Sequence, residues 1–187
     1  MLGWNEEIKK HLGSCGKNVF IGHNVMFTQP ENVHLGDNVR IDPFTLITSK
    51  LETGNNVQIC SHAVLGGREQ TIKLGNWTFI GFGSKLFTAS EDYSGNDGPV
   101  NEFWGRNKTW KGNIELKDFS GIASDTMIFP KVILPEGCTI GARSFVYTKQ
   151  KLEEWSVWLG DPLRLHKSRN KEKVIELSKD KNFLRYD

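Results

Sequence analysis

Five histidines are the residues of this chain that could move a proton near neutral pH, where an unperturbed imidazole titrates. His11 and His166 belong to the terminal segments, for which a surface position is typical, and His23 and His34 come early in the chain. His62 stands in the hexad ICSHAV, at a place next to a turn. We therefore take His62 as the first candidate for a general base.

A 21-residue segment over 91–111, EDYSGNDGPVNEFWGRNKTWK, holds the second set of candidates. It opens on Glu91 and Asp92, and a carboxylate could serve as a base, directly or through water, if desolvation raised its pKa. Trp104 and Trp110 could stack on a sugar ring or could anchor the segment to the rest of the protein. The sequence leaves both roles open.

Metal and thiol chemistry are not favoured. The spacing of His23, His34 and His62 lacks the close pair expected of a zinc site of the carbonic-anhydrase type, so we expect no metal. Three cysteines form an odd set without a CxxC pair, which indicates reduced thiols. Cys60 stands two residues before His62, and we interpret it as a small turn residue and not as half of a nucleophilic Cys–His pair.

A repeat with a period of six must position these residues. Of seventeen first positions between Ile21 and Val146, fifteen are Ile, Leu or Val, and the exceptions are Phe27 and Thr53. The fifth position is small or β-branched in most hexads. Short strands that end in turns at this spacing wind into a parallel coil with the aliphatic residues inside. An antiparallel β-sandwich would instead alternate with period two.

The sequence predicts one domain over 1–187. It consists of an N-terminal cap (1–15), a repeat coil (16–150) from which residues 91–111 project as an ordered lid, and a C-terminal turn and helical tail (151–187). Ser168 is the expected N-cap of the tail helix, which we expect to cover the end of the coil.

Composition excludes several classes of protein. Hydrophobic residues make up 37% and charged residues 25%, which excludes a disordered chain. No apolar run is long enough to span a membrane, and Glu6 and Glu7 stand where an export signal would be apolar, so we expect a cytoplasmic protein. The sequence lacks the basic stripe that would indicate nucleic-acid binding. The basic excess beyond Arg164 suits a small polyanion.

Two C-terminal segments carry a family resemblance. IFPKVILPEGCTIGARSFVYTK, followed by WSVWLGDPLRLHK, resembles the hexapeptide-repeat, or isoleucine-patch, acyltransferases, which fold as an all-β, left-handed parallel β-helix. The segment LGGREQTIKLGNWTFIGFGSKLFTASEDYSG is similar to the subgroup that acetylates sugars for bacterial surface polysaccharides.

The resemblance implies an acetyl-CoA donor and a homotrimer whose active sites lie between subunits and are closed by a projecting loop. It also implies that the backbone around Ala123 and Ala142 lines the pantetheine arm. Thr148, Lys149 and Lys167 would lie near the nucleotide end of the donor, and the basic tail is consistent with CoA phosphates.

The chain departs from the family at one place. Many relatives keep a histidine after a Thr-Ala-Thr stretch, whereas here Thr-Ala-Ser at 88–90 precedes Glu91 and Asp92. Three hypotheses for the base therefore stay open: His62, one of the two carboxylates, or no protein base.

The predicted function is transfer of an acetyl group from acetyl-CoA to a hydroxyl or amino group of a sugar, including nucleotide-linked sugars, in surface polysaccharide or antigen synthesis. One alternative is an acetyltransferase for an antibiotic or another xenobiotic. Another is a non-catalytic binding or scaffold solenoid. The sequence leaves open the acceptor, the choice between O- and N-acetylation, and the length of the acyl group.

Overall fold

The computed structural model describes residues 6–67, 69–91 and 109–180. Over these residues the chain winds into six coils, each built from three short strands. Coil 1 holds β1 (Ser14–Cys15), β2 (Phe20–Ile21) and β3 (Met26–Phe27); coil 2 holds β4 (Val33–Leu35), β5 (Arg40–Ile41) and β6 (Leu46–Ile47); coil 3 holds β7 (Lys50–Thr53), β8 (Gln58–Ile59) and β9 (Val64–Gly66); coil 4 holds β10 (Thr71–Leu74), β11 (Phe79–Ile80) and β12 (Lys85–Phe87).

The chain then leaves the coil and returns. A ribbon of β13 (Ala89–Glu91) and β14 (Thr109–Lys111) comes first. The remaining strands are β15 (Ile114–Leu116), β16 (Gly121–Ile122) and β17 (Met127–Ile128) of coil 5; β18 (Ile133–Leu134), β19 (Thr139–Ile140) and β20 (Phe145–Val146) of coil 6; and β21 (Ser156–Leu159) and β22 (Arg164–Ser168) beyond it. Helices α1 (Glu6–Lys9) and α2 (Lys171–Ser178) flank the coils, and a 3-10 turn spans Pro30–Asn32.

Three parallel sheets form the faces of a prism. Face 1 collects the first strand of each coil, face 2 the second and face 3 the third, and β21 extends face 2 beyond β19. The register stacks equivalent residues, so that Ile41, Ile59 and Ile80 are partners on successive strands of face 2. This pairing confirms the predicted fold class, an all-β parallel β-helix of hexapeptide repeats.

The core follows the period of six. All fifteen aliphatic first positions are buried, and Phe27 and Thr53, the two exceptions, are half-buried. The small fifth positions are buried as well, including hydroxyl residues such as Ser84 and Thr126. Ser84 satisfies its hydroxyl by donating to the carbonyl of Ala123 at 2.9 Å, which lets a polar group lie inside the coil.

Two of the three corners are built from residues in the left-handed region of backbone conformation. The first corner joins face 1 to face 2 and the second corner joins face 2 to face 3. Members of the first corner are Asn18, Asn38, Asn56, Trp77, Phe119, Gly137 and Trp155, and members of the second corner are Asn24, Phe44, His62, Gly83, Asp125 and Arg143. Asparagine tolerates this conformation, and at the first corner three asparagines also donate to one another along the stack at 3.1 and 3.0 Å.

The lid ribbon and the tail differ in detail from the sequence expectation. The ribbon leaves the third corner, between face 3 and face 1, already at Ala89. Ser168 ends β22, and Asn170 is the N-cap of α2, where its side chain accepts from the amide of Lys173 at 2.9 Å. The edge of face 2 is covered by β22, which pairs antiparallel with β21. Helix α2 buries no residue, and no helix in the described ranges is long and apolar enough to cross a membrane.

Candidate functional site

An open groove of about 430 Å³ lies on face 2 across coils 4 to 6. Gly121 and Ala123, which have little or no side chain, line the groove together with the rings of Phe79 and Phe119, whereas the side chain of Leu159 covers Gly141. A groove with small floor residues lets a ligand approach the backbone closely. Apolar walls favour an extended organic ligand over a small ion.

Gly121 keeps the groove open. The outward position of face 2 is occupied by Phe79 in coil 4, by Gly121 in coil 5 and by Thr139 in coil 6. A Cβ atom on Gly121 would lie 3.0 Å from the carbonyl oxygen of Phe79 and 3.2 Å from its Cβ. Any side chain at this position would therefore crowd Phe79 and fill the groove.

The first-corner end of the groove is aromatic and cationic. The rings of Trp77 and Phe119 are stacked with centroids 6.5 Å apart, and Phe119 lies 5.7 Å from Trp155. Arg169 also lines the groove, with its guanidinium carbon 6.0 Å from the Trp155 ring. Burial lowers the pKa of Arg169 from its ordinary value, and the group still carries its charge at neutral pH.

His62 lies at the second corner, exposed and turned onto Phe44 of the neighbouring coil, with 5.3 Å between ring centroids. Neither ring nitrogen of His62 bonds to another residue in the described part of the chain. The next member of this corner is Gly83, and the Asp125 carboxylate oxygen lies 2.5 Å from where a Cβ on Gly83 would be. His62 and Asp125 thus flank a position that has no side chain of its own.

Ala123 and Ala142 lie where the groove on face 2 reaches the second corner. Ala123 lines the groove, and Ala142 is exposed one residue beyond Gly141. The amide of Ala123 donates to the carbonyl of Ile140 at 2.8 Å, whereas the amide of Ala142 has no acceptor among the described residues. The backbone at Ala142 can therefore donate to a bound ligand.

The lid residues lie at the third corner. Glu91 is half-buried and pairs with Thr109 across the ribbon, and Trp110 is 36% exposed and pairs with Ser90. Lys111 ties the ribbon to the third-corner turn through Glu69, with 3.2 Å between their charged groups. Asp92 and Trp104, the other predicted lid residues, lie outside the described residues.

The three residues predicted to lie near the donor nucleotide are exposed and separate. Thr148 and Lys149 occupy a turn that follows β20 at the third corner. Lys167 lies on β22 and pairs with Val157, which lines the groove. Among these three residues, only Lys167 belongs to face 2.

The predicted site residues fall into two groups within one protomer. Ala123, Ala142 and His62 lie along face 2 and the second corner, whereas Glu91 and Lys149 lie at the third corner. The third corner is the vertex opposite face 2 in the triangular section. The two groups therefore do not form a single cleft inside one chain.

Sequence reasoning missed the first-corner end of the groove. Trp77 and Phe119 occupy equivalent turn positions of coils 4 and 5, which the period of six could have revealed. Arg169 had no such signal, because the antiparallel pairing of β21 and β22 brings it to the groove. Across the described ranges, no cluster of three His, Cys, Asp or Glu side chains could hold a metal ion.

Comparisons with known proteins identify similar chains over nearly the whole length. No family model matches the sequence. The chain is 28% identical over 186 residues to the dTDP-4-amino-4,6-dideoxy-D-glucose acyltransferase of Escherichia coli, covering 94% of this chain and 93% of that protein.

Solved structures agree with this similarity. The N-acyltransferase AntD from Bacillus cereus, in complex with dTDP and 3-hydroxybutyryl-CoA, is 33% identical, with 98% of this chain and 96% of that chain covered and a TM-score of 0.85. A hexapeptide-repeat acetyltransferase from Vibrio cholerae shares the fold at 17% identity, with 88% and 78% covered and a TM-score of 0.57.

Proposed function

This chain belongs to the hexapeptide-repeat acyltransferases that modify sugars with CoA thioesters, and we propose that it acylates the amino group of a nucleotide-linked amino sugar. The observation that carries the proposal is the match to AntD along 98% of the chain. AntD is an N-acyltransferase, and the similar Escherichia coli enzyme acts on a dTDP-linked 4-amino sugar. The acceptor to test first is therefore dTDP-4-amino-4,6-dideoxyglucose.

The groove on face 2 suits an acyl-CoA donor. Gly121 and Ala123 offer a floor without bulky side chains, and the amide of Ala142 can donate to an amide oxygen of the pantetheine arm. The donor is an acetyl or a short hydroxyacyl thioester. Thr148, Lys149 and Lys167 remain the proposed contacts of the donor nucleotide.

The proposed reaction forms a C–N bond and breaks the C–S bond of the thioester. The neutral amine of the sugar attacks the thioester carbonyl, a base removes the surplus proton from nitrogen, and the CoA thiolate leaves and takes up a proton. We assign the base to His62, whose ring nitrogens make no hydrogen bond to any described residue. Glu91 and Asp92 are the carboxylates that must be tested against it.

A second copy of the chain would complete the site. Within one protomer, the lid ribbon at the third corner lies opposite the groove on face 2, so we propose that a neighbour brings its own third corner to this groove. The outward column of face 3 supports such contact, because five of its six described members are apolar: Met26, Leu46, Val64, Met127 and Phe145, with Lys85 as the exception. We propose a homotrimer, with Trp110 and Trp104 of the lid against the sugar.

The proposed setting is the cytoplasm and the synthesis of a surface polysaccharide or antigen. Three cysteines without disulfides fit a reducing compartment. An acylated nucleotide sugar is an activated donor, so a glycosyltransferase is the class of enzyme that would consume the product.

The test is an acyl-transfer assay on the purified protein. Acetyl-CoA and 3-hydroxybutyryl-CoA are offered separately with dTDP-4-amino-4,6-dideoxyglucose, and the released CoA thiol and the mass of the product are followed. The matched control is the dTDP sugar with a hydroxyl in place of the 4-amino group. Maltose and an aminoglycoside represent the O-acetylating and antibiotic-modifying alternatives.

The expected result is thiol release with an amide product only from the amino sugar. Transfer to the 4-hydroxyl sugar or to maltose at an equal rate would overturn the N-acyl assignment. Release of thiol with the aminoglycoside alone would favour the xenobiotic alternative. Binding of both substrates without any turnover would support the scaffold alternative.

A further inference from the structure

Arg169 is a half-buried cation without an acidic partner in the described part of the chain. Its Nη1 donates to the carbonyl oxygens of Phe119 and Gly137, at 2.6 and 2.9 Å. The guanidinium has five donors, and Nε and Nη2 donate to no described residue. The two backbone bonds fix the guanidinium in the wall of the groove with part of its donor set free.

Burial of the Arg169 guanidinium without a neighbouring anion costs free energy. Desolvation by burial is the main reason that the pKa of Arg169 is lowered. A second positive charge, Lys171, lies 5.2 Å from the Trp155 ring, and Glu136 approaches its ammonium only to 3.9 Å. The first-corner end of the groove therefore attracts an anion, and a planar guanidinium suits a phosphate group.

Aromatic side chains line the same groove as Arg169. Phe79 is 40% exposed and forms the wall of the groove beside Gly121, where a missing side chain leaves room over the floor. Trp77 and Phe119 stand at the same end of the groove. Rings of this kind bind nucleobases by stacking, because every base has a flat π-face.

We infer that the first-corner end of the groove is a nucleoside phosphate subsite, in which Arg169 binds a phosphate and Phe79 stacks on the base over Gly121. The inference deepens the proposed function and rests on it, since both proposed substrates carry a nucleoside phosphate. The nucleotide is either the adenosine 3′,5′-bisphosphate portion of the donor or the nucleoside diphosphate of the acceptor. From this end, the rest of the substrate would pass along Gly121 and Ala123 towards His62.

The experiment is calorimetric titration of the full-length protein with two separate probes, adenosine 3′,5′-bisphosphate and dTDP. Arg169→Gln removes the charge and keeps an amide that can donate to the two backbone carbonyls. Phe79→Ala removes the stacking face at an exposed position and leaves those backbone bonds intact. Lys17→Gln, at an exposed position of coil 1 and away from the groove lining, is the control for the loss of one positive charge.

One of the two probes should bind about ten- to hundredfold more weakly to Arg169→Gln and to Phe79→Ala, as expected for a lost charged hydrogen bond and a lost stacking contact. The other probe should bind within twofold of wild type, and Lys17→Gln should leave the binding of both probes unchanged. The probe that weakens identifies whether donor or acceptor occupies the subsite.

The inference is overturned if neither probe weakens in both variants, or if both probes weaken equally. Calorimetry measures binding without turnover. The test of the subsite is therefore independent of the acyl-transfer assay that tests the proposed function. Selective loss of one probe in a protein that transfers no acyl group would reject the proposed function and keep the subsite. Acyl transfer with unchanged binding in both variants would reject the subsite alone.

Discussion

The imidazole of His62 stacks on the phenyl ring of Phe44 in the neighbouring coil, with ring centroids 5.3 Å and ring planes 19° apart. Both residues occupy the left-handed position of the second corner, and the next coil has Gly83 there. The contact with Phe44 restrains the imidazole at the second corner, one coil before the coils that form the groove. The space at Gly83, between His62 and Asp125, is where we expect the thioester to meet the amine.

Replacement of His62 tests this arrangement most directly. If the imidazole is the general base, His62→Ala should lose about 100-fold to 10,000-fold in turnover with donor binding intact, the range for lost general-base catalysis. Glu91→Gln and Asp92→Asn should have smaller effects. Steady-state kinetics and calorimetry with CoA measure the two quantities.

The matched control for this prediction is His23→Ala, an exposed histidine beside the same corner in coil 1. It should leave turnover within a few-fold of wild type. Loss of activity in Glu91→Gln alone would move the base to the lid. Unchanged rates in all three variants would mean that the enzyme mainly positions an already neutral amine.

A second prediction concerns the donor. Changing Lys149 and Lys167 together to alanine should raise the KM for the acyl-CoA more than it lowers kcat, because the lost contacts are with a remote part of the substrate. Lys17→Ala, an exposed lysine of coil 1 outside the groove lining, is the control and should leave both constants unchanged. Equal CoA affinity of the double variant and wild type in calorimetry would contradict the proposed contacts.

The fold could be predicted from the sequence because its signal is local. Each coil repeats the same demand for an aliphatic residue at positions such as Ile59 and Leu65, and the register of parallel strands keeps these positions in columns. The tail could not be predicted in the same way. The pairing of β22 with β21 is antiparallel and shifts in register between Val157 and Trp158, which no hexad pattern encodes.

The site was predictable only in part for the same reason. Ala123 and Ala142 were named from the family resemblance, whereas the period of six indicated the turn position of His62. It could not reveal that Glu91 and the groove lie on opposite sides of the prism. The period also could not predict that Arg169 lies in the groove, because its contacts to Phe119 and Gly137 join residues that are 50 and 32 positions apart in the chain.

A third prediction tests the contact between copies. Sedimentation equilibrium should give about three times 21.2 kDa for the wild type. Met127→Asp places a charge on the apolar outward column of face 3 and should shift the protein towards monomer, because a buried unpaired charge is costly. Ile133→Asp, on the outward column of face 1, is the control and should stay assembled. A monomeric wild type at micromolar concentration would contradict the shared site.

A fourth prediction compares two isoleucines of face 1. Ile114 is fully buried and Ile133 is 54% exposed. Ile114→Ala should lower the free energy of unfolding by about 2 to 5 kcal/mol, because it leaves a cavity in the coil. Ile133→Ala should change it by less than about 0.5 kcal/mol. Urea unfolding at one fixed protein concentration measures both, and equal losses would contradict the inward register of the face.

A fifth prediction concerns the ionisation of the thiols. Burial raises the pKa of Cys60 and of Cys138 from 9.0 to about 11, whereas Cys15 is exposed. Only a thiolate reacts with a disulfide reagent, so the native protein at pH 8 should show one fast thiol, from Cys15, and three thiols after unfolding. Rapid native labelling of three thiols would contradict the burial of Cys60 and Cys138.

The same pKa shifts predict a loss of stability at alkaline pH. The unfolded thiols ionise from about pH 9, while the folded ones stay protonated until about pH 11, so the free energy of unfolding should fall across that range. Below pH 9 both states keep the thiol proton, and this contribution is constant. In Cys60→Ala/Cys138→Ala, denaturant unfolding at pH 8, 9 and 10 should show a shallower alkaline decline than in wild type. An identical decline in both proteins would assign the effect to other groups.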